Sequence, residues 1–165
     1  VFLCADNGSN NKGSNGPLRG FKGSPWEGGH RVPGIANWPG RIEAGTTNVT
    51  LCASMDVMPT LLALAGAPAP KERPLDGVDL SPVLLEGKTL ADRKMFWDVG
   101  GRAMRDGPWK VVVSGKQPQL FNLADDLGET TDLAERESQR AGQMSDALNA
   151  WYAAVTADAT PQPEE

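Results

Sequence analysis

The chain has 165 residues, among them 19 glycines, 13 prolines, two cysteines and one histidine, and its formal net charge is −5. One histidine excludes HExxH zinc sites and every site with two histidine ligands, and two cysteines are too few for a four-cysteine zinc site. No apolar run approaches the roughly 20 residues that span a bilayer. The charge is concentrated in residues 121–165, which carry ten acidic and two basic residues, and the basic residues form no nucleic-acid-binding cluster. Length and hydrophobic content fit about one domain with a buried core.

The chain opens on a predicted strand followed by a long loop. Val1–Ala5 is a short apolar run that fits a buried strand, and Asp6-Asn7-Gly8 ends it. Because the run begins without a methionine or a basic leader, we expect a segment of the protein to precede it. Residues 8–29 are rich in glycine, serine and proline, and structureless loops of that length are usually functional or disordered. The segment Val32–Trp38 predicts the next strand.

Two short helices are predicted in the middle of the chain. Ser54 or Asp56 can cap a helix that runs through Leu64, and Gly66 stands where a left-handed C-terminal residue is common. By the same reasoning, a second short helix covers residues 81–85 and ends at Gly87.

The last third of the chain changes its pattern to short strands and then one long helix. Four strand-like runs are separated in part by Gly100-Gly101 and Asp106-Gly107, which are hairpin turn signals, so we predict a three- or four-stranded antiparallel meander. A helix is predicted to begin near Ala134, with an apolar stripe that would pack on the meander. The stripe consists of Ala141, Met144, Leu148, Trp151, Tyr152 and Val155. Residues 158–165 are polar, and we predict a disordered tail.

Asp6 and Asn7 form the first candidate site. A carboxylate beside an amide oxygen suits a hard cation such as Ca²⁺ or Mg²⁺, and ligands of open α/β sheets bind beyond the carboxyl ends of strands. The alternative is an ordinary turn, since Asp-Asn-Gly is a common turn sequence. Ca²⁺ takes six to eight oxygens, so further ligands would have to come from elsewhere.

Lys22 forms the second candidate site. It lies between Gly20 and Gly23, where a compact positive charge can approach a sulfate or phosphate oxygen closely. The alternative is a solvated loop lysine. The segment is not a P-loop, because Gly29-His30 follows the glycine spacing where Lys-Ser/Thr is required.

Three neighbours of Lys22 stay ambiguous, and no nucleophile is evident. Glu27 and Arg31 are four residues apart and could pair with each other, and a lone histidine such as His30 is more often structural than catalytic. The chain has no G-x-S-x-G elbow, no G-x-G-x-x-G motif and no second histidine for a triad with His30.

Taken in order, the motifs resemble the C-terminal half of the type I sulfatases over about residues 1–155. The matching segments are Phe2-x-x-x-Asp6-Asn7-Gly8, residues 16–33 (Gly-Pro-Leu-Arg-Gly-x-Lys-Gly-x-x-Trp-Glu-Gly-Gly-x-Arg-Val-Pro), Trp38-Pro39-Gly40, residues 55–62, 75–80 and 102–110, and residues 120–133. The resemblance is carried by the number and order of these matches rather than by any one of them.

The resemblance implies a fold and a set of site residues. The fold is α/β: residues 1–90 would be the C-terminal part of an alkaline-phosphatase-like sulfatase domain, and residues 91–157 a small four-stranded antiparallel sheet packed on a C-terminal helix. Asp6 and Asn7 match the late Ca²⁺ ligands of the family, with Mg²⁺ as another candidate ion. Lys22 matches the lysine that binds the sulfate group.

One departure from the family is large. The family's nucleophile is a formylglycine made in a Cys/Ser-x-Pro-x-Arg motif, and neither Cys4 nor Cys52 nor any serine lies in such a motif. The resemblance therefore implies that a missing N-terminal half of the same protein supplies the nucleophile, and that the 165 residues alone are inactive. It further implies a sulfated small molecule or sulfated glycan as substrate and a periplasmic, secreted or lysosomal location.

Two other functions stay open at this point. One is a phosphoester or phosphonate hydrolase of the same superfamily, which would share the Asp6-Asn7 metal pair. The other is a non-catalytic module that binds sulfated ligands or has a structural role. The stretch from Lys22 to Glu27-Gly28-Gly29 favours the sulfatase.

Overall fold

A computed structural model describes residues 1–157, and the predicted tail at 158–165 lies outside the described residues. The chain divides into two compact units. The first consists of Val1–Asp6 and Pro33–Ala91, and the second of Asn7–Val32 together with the described chain from Asp92 onward. The predicted division between residues 90 and 91 lies one residue from the second boundary, but it did not assign residues 7–32 to the unit of the antiparallel sheet.

A short helix at Glu27–His30 forms at the end of residues 8–29, which were predicted to be a loop, and the other elements follow the predicted order along the chain. Within residues 1–157 the elements are β1 (Phe2–Cys4), α1 (Glu27–His30), β2 (Gly34–Ala36), a 3₁₀ turn (Ser54–Asp56), α2 (Val57–Leu64), α3 (Ser81–Glu86), β3 (Lys94–Asp98), β4 (Arg102–Asp106), β5 (Trp109–Val113), β6 (Gln119–Asn122) and α4 (Ser138–Thr156). None of these helices is long and apolar enough to cross a membrane.

Both predicted strands of the first unit form, but β1 is not buried as predicted. β1 pairs antiparallel with β2, so that Leu3 lies opposite Ile35. Leu3 is 63% exposed and Ile35 is 58% exposed. A two-stranded ribbon does not cover the apolar side chains on both of its faces, whereas a larger sheet or a packed helix would.

The helices of the first unit are tied to the connector between them by buried side chains. The carboxylate of Asp56, at the end of the 3₁₀ turn, accepts the N–H groups of Ala53 at 2.7 Å and Val78 at 2.9 Å. One turn later, the hydroxyl of Thr60 accepts the N–H of Leu80 at 2.8 Å. The predicted helix ends are confirmed, since α2 stops just before Gly66 and α3 stops at Gly87, and both glycines have φ 65°.

The second unit is built on a four-stranded antiparallel meander in the order β3-β4-β5-β6, as predicted. α4 packs on one face of this sheet. The core on this face consists of Met104, Val111, Leu120, Ala141, Met144 and Leu148. The helix begins at Ser138 and not near Ala134, because the Asp132 carboxylate accepts the N–H groups of Leu120 and Ala134 and holds the preceding segment on β6.

Residues 7–32 cover the opposite face of the same sheet. Since side chains alternate between the faces of a strand, Ala103 and Val112 point away from α4 and join Phe121 in a second apolar cluster. Trp26, from the long loop, contacts Phe121 edge to face with ring centroids 5.7 Å apart. The sheet is therefore buried on both faces, by a helix on one and by the candidate loop on the other.

Candidate active-site loop

The side chains of the three predicted site residues are available to a ligand. Asp6 and Lys22 are exposed and Asn7 is half-buried. Among residues 1–157, no hydrogen bond or ion pair occupies any of these three side chains. Asp6 is the last residue of the first unit's opening segment, and Asn7 and Lys22 belong to the second unit.

Backbone hydrogen bonds bring the Lys22 segment next to the start of the loop. The N–H of Lys22 donates to the carbonyl of Ser9 at 3.0 Å. The side chain of Asn15 accepts the N–H of Ser9 at 2.7 Å and donates to the carbonyl of Gly20 at 3.0 Å. The structure therefore places the backbone of Lys22 against a residue that is two positions from Asn7.

Lys22 itself lies in a tight turn that continues into α1. The N–H of Ser24 donates to the carbonyl of Phe21 at 3.1 Å, and its hydroxyl donates to the same oxygen at 2.7 Å. Gly23 follows Lys22 with φ 85°, a conformation that favours glycine. The turn between β3 and β4 lies alongside, because a Cβ atom on Gly100 would collide with the carbonyl oxygen of Gly23.

Gly28 and Gly29 are required by the close approach of the backbone. A Cβ atom on Gly28 would collide with the carbonyl oxygen of Gly20, and one on Gly29 with that of Ser24. The N–H of Gly28 donates to Arg19 at 2.7 Å. α1 therefore packs directly against the turn that carries Lys22, and the glycines serve this packing rather than a phosphate.

A buried ion cluster lies between the loop and the sheet, and it consists of Glu27, Lys110 and Glu129. The Lys110 Nζ is 2.9 Å from Oε1 of Glu27 and 2.8 Å from Oε1 of Glu129. The second carboxylate oxygen of Glu129 accepts the backbone N–H of Glu27 at 2.7 Å. Each of the three side chains therefore contacts at least one of the others at hydrogen-bonding distance.

Two ambiguous neighbours of Lys22 prove to be partners of this cluster. Arg31 Nη1 lies 3.2 Å from Oε2 of Glu27, which confirms the predicted pair. His30 stacks on Trp97 with centroids 4.2 Å apart, and its Nε2 lies 3.2 Å from Nζ of Lys110. The same Nε2 lies 3.3 Å from the carbonyl oxygen of Pro25. A neutral ring whose Nε2 accepts suits the ammonium group of Lys110, whereas a ring that carries its proton on Nε2 suits the carbonyl.

The charges within the cluster set the protonation states of its members. Burial and the charge of Lys110 lower the pKa of His30 to about 4. Burial would raise the pKa of Glu27, but the charge of Lys110, its hydrogen bond to the carboxylate and the charge of Arg105 bring that pKa below its ordinary value. Burial raises the pKa of Glu129, and its contact with Lys110 offsets only part of that rise. At neutral pH the cluster therefore contains an ionised Glu27 and a neutral His30.

The sequence analysis missed the roles of Lys110 and Glu129. Lys110 stands in a strand next to Val111, Val112 and Val113, on the same face as Val112. A lysine on an inward-facing position of an apolar strand needs a buried partner, and this signal was present in the sequence. The identity of the partner was not, because Glu27 is 83 residues away along the chain.

The predicted metal ligands Asp6 and Asn7 do not form a complete metal site within residues 1–157. Asp6 and Asn7 supply oxygen donors of the kind that Ca²⁺ prefers. No group of three or more His, Cys, Asp or Glu side chains that could hold a metal ion is found among residues 1–157. The two residues therefore fit a calcium site in their chemistry, but not in the number of ligands.

Comparison with known proteins places these residues in a family. A family model described as Sulfatase matches residues 1–67. Arylsulfatase G of Homo sapiens is 37% identical over 155 residues, which cover 73% of this chain and 30% of that protein. Arylsulfatase A of Bos taurus is 35% identical over 183 residues, which cover 90% of this chain and 36% of that protein. The chain belongs to the sulfatase family.

Solved structures agree with this family. Ps i-CgsB, which has been crystallised in complex with k-i-k-neocarrahexaose, matches with a TM-score of 0.81 and 28% identity over 91% of this sulfatase chain and 35% of its own. The PsFucS1 sulfatase from Pseudoalteromonas sp. matches with a TM-score of 0.78 and 27% identity over 98% of this chain and 38% of its own. The predicted fold class is confirmed. The chain spans about 30% of the length of the curated relatives it matches.

Proposed function

We propose that this chain is the C-terminal portion of a sulfatase that hydrolyses sulfate esters, and that it supplies Lys22, Asp6 and Asn7 to the active site. The observation that carries the proposal is the state of Lys22. Its backbone is fixed to Ser9 in a tight turn between glycines, while its exposed ammonium group has no protein partner among residues 1–157.

Lys22 would bind the sulfate group and neutralise the charge on its oxygens during transfer. A lysine is a compact point charge with three donors. Because the turn is already ordered, little reorganisation is needed when substrate binds, and such preorganised charges often provide the largest part of catalysis. Gly23 follows Lys22 and has open space where a Cβ atom would stand, so it would let the sulfate oxygens approach this side of the turn without meeting a side chain.

Asp6 and Asn7 would hold a calcium ion through one carboxylate and one amide oxygen. Mg²⁺ is the second candidate ion, although it demands a smaller octahedral site. When bound, the cation supplies Lewis-acid polarisation of the sulfate oxygens. The remaining ligands would come from the preceding part of the protein.

The substrate class that we favour is a sulfated glycan or a sulfated small molecule. A relative named N-acetylgalactosamine-6-sulfatase from Canis lupus familiaris is 44% identical over 110 residues, and Ps i-CgsB binds an oligosaccharide. Both observations support a sugar-linked sulfate.

A missing N-terminal half of the same protein would complete the site. The chain lacks a Cys/Ser-x-Pro-x-Arg motif, so we propose that the preceding half carries the formylglycine nucleophile. We further propose a periplasmic, secreted or lysosomal location for the whole protein.

The experiment compares the 165-residue chain with the whole protein, meaning this chain together with the half that we propose precedes it. Both are assayed for hydrolysis of p-nitrophenyl sulfate with added Ca²⁺. We expect turnover by the whole protein and none by the chain alone. Turnover by the chain alone, or an inactive whole protein that carries its formylglycine, would contradict the proposal.

A further inference from the structure

We propose that Lys110 is a positioning residue: from within the antiparallel sheet it holds, through Glu27 and Glu129, the loop that presents Lys22. The role given to Lys22 rests on the proposed function. The link between sheet and loop, formed by the contacts of Lys110 with Glu27 and Glu129, does not. The link joins three segments that are far apart in the chain, namely residues 7–32, β5 and the segment after β6.

The centre of the link is Glu27, the first residue of α1. Its Oε1 atom accepts from Lys110 at 2.9 Å, and its Oε2 atom lies 3.2 Å from Arg31 and 3.8 Å from Arg105. Its backbone N–H donates to Glu129 at 2.7 Å. Both the side chain and the backbone of Glu27 are therefore fixed, which sets the position and the direction of α1.

Glu129 is itself held in place. Its backbone has φ 52°, a conformation uncommon for a residue other than glycine. Its carbonyl accepts a hydrogen bond from Arg19 at 2.9 Å, and the guanidinium of Arg19 lies 3.6 Å from the ring centroid of Trp26. Two residues of the loop therefore bind Glu129: Arg19 at its carbonyl oxygen and Glu27 at its side chain.

α1, which is held in place by Glu27, contacts the backbone of the turn that carries Lys22. Gly28 donates to Arg19, and Gly29 packs on the carbonyls of Phe21 and Ser24, which flank Lys22. No side chain separates α1 from the turn at these contacts. A shift of Glu27 would therefore move the turn as well.

None of the three ionic side chains can act on a substrate. The side chains of Lys110 and Glu129 are 0% exposed and that of Glu27 is 1% exposed. Buried ion pairs are weak evidence for stability, because desolvation opposes the attraction. Their geometry is restrictive, however, since each charge must meet its own partner. We therefore assign the cluster to the orientation of the loop rather than to catalysis.

The test is backbone amide hydrogen exchange in Lys110→Met, which keeps an unbranched side chain one atom shorter and removes the charge. Two sets of amides are compared. The loop set is Gly8, Lys22 and Gly28, whose N–H groups are bonded within the loop, and the sheet set is Met104, Val111 and Val112. We expect exchange of the sheet set to rise only as far as the loss of global stability explains, and exchange of the loop set to rise by about tenfold or more beyond that, because local opening differs between regions of one protein.

Two further variants keep the test decisive. Lys116→Met removes an exposed lysine after β5 and should leave both sets unchanged. Glu129→Gln keeps an oxygen that can accept the N–H of Glu27 but removes the charge that faces Lys110, so it folds more readily than Lys110→Met and should raise loop exchange by about threefold. Equal acceleration of both sets, or no acceleration of the loop set in either cluster variant, would overturn the proposal.

The exchange measurement needs no catalysis, so it separates the two proposals. Selective loosening of the loop in a whole protein that hydrolyses no sulfate ester supports the positioning role and contradicts the proposed function. Sulfate hydrolysis without selective loosening contradicts the positioning role alone. In an active whole protein, Lys110→Met should also raise KM for p-nitrophenyl sulfate relative to Lys116→Met.

Discussion

The two faces of the four-stranded sheet are held by different forces. On the α4 face, aliphatic side chains such as Leu120 and Leu148 pack without any polar partner. On the loop face, the apolar contacts of Trp26 and Phe121 surround the buried charges of Glu27, Lys110 and Glu129. An apolar face needs volume and pattern, and it tolerates repacking. A face with buried charges restricts how its side chains can pack, because each charge needs an oppositely charged partner. This is the face that carries the candidate active-site loop.

The largest effect is expected from removing the buried cation on the loop face of the sheet. Lys110→Met should lower the free energy of unfolding by about 3–5 kcal/mol, because it removes the buried cation that contacts both Glu27 and Glu129, although Glu27 keeps Arg31 and Arg105. Lys116→Met, on an exposed turn, should change it by less than about 0.5 kcal/mol. Denaturant unfolding measures both.

Adding Glu129→Gln to Lys110→Met sharpens the comparison. Burial already raises the pKa of Glu129, and neutralising this side chain removes one of the stranded charges. We expect the double variant to recover at least about 1 kcal/mol relative to the sum of the two single variants. Additive losses would show that the cluster members do not depend on one another.

The next effect is expected from truncating a buried leucine on the α4 face of the sheet. Leu148→Ala should lower the free energy of unfolding by about 3 kcal/mol, the usual cost of a cavity at a fully buried leucine. Val155→Ala, at a residue of the same helix that is 56% exposed, serves as its control and should cost less than about 0.5 kcal/mol. If the two faces are independent, Leu148→Ala should speed up exchange of the Lys22 amide no more than the lower free energy of unfolding accounts for.

A third effect concerns the loop itself. Lys22→Ala in the whole protein should lower kcat/KM for p-nitrophenyl sulfate by about 10²-fold or more, the scale of losing one preorganised stabiliser of developing charge. Stability should stay unchanged, because the side chain is exposed and has no protein partner among residues 1–157. Lys12→Ala, at an exposed lysine of the same loop, is the matched control, and equal kinetics in the two variants would remove Lys22 from the site.

The smallest effect depends on pH. The pKa of His30 is about 4 in the folded chain against 6.5 for an ordinary histidine, so the unfolded chain binds more protons between these values. Stability should therefore fall as the pH drops from 6.5 to 4, by about 2 kcal/mol through His30. His30 is faced by Glu27, Lys110 and Arg105, whose charges stay in place in His30→Gln. The stability difference between wild type and His30→Gln isolates the histidine, and a difference independent of pH would contradict this assignment.

Local patterns predicted the sheet and the helices well. The hairpin turns at Gly100-Gly101 and Asp106-Gly107 and the spacing of Ala141, Met144 and Leu148 are local signals, and each element forms near its predicted bounds. Two errors have non-local causes. The start of α4 depends on Asp132 binding Leu120 in β6, and the exposure of Leu3 depends on how few strands pair with β1.

The loop face could be predicted only in part, for the same reason. Asp6, Asn7 and Lys22 could be singled out because each stands in a short motif, and their roles stay a prediction. The cluster was missed because Glu27 meets Lys110 across 83 residues and Glu129 across 102. Contacts between residues so far apart in the chain produce no repeating pattern in a single sequence. The inward-facing position of Lys110 was the one feature that indicated a buried partner.

We propose that the loop at residues 7–32 receives a sulfate group. The most direct measurement is kcat/KM of the whole protein, formylglycine included, for p-nitrophenyl sulfate beside p-nitrophenyl phosphate under identical Ca²⁺ conditions. The account predicts a preference for the sulfate ester of at least about tenfold, which corresponds to about 1.4 kcal/mol in the transition state. Equal rates or a preference for the phosphate ester would contradict it.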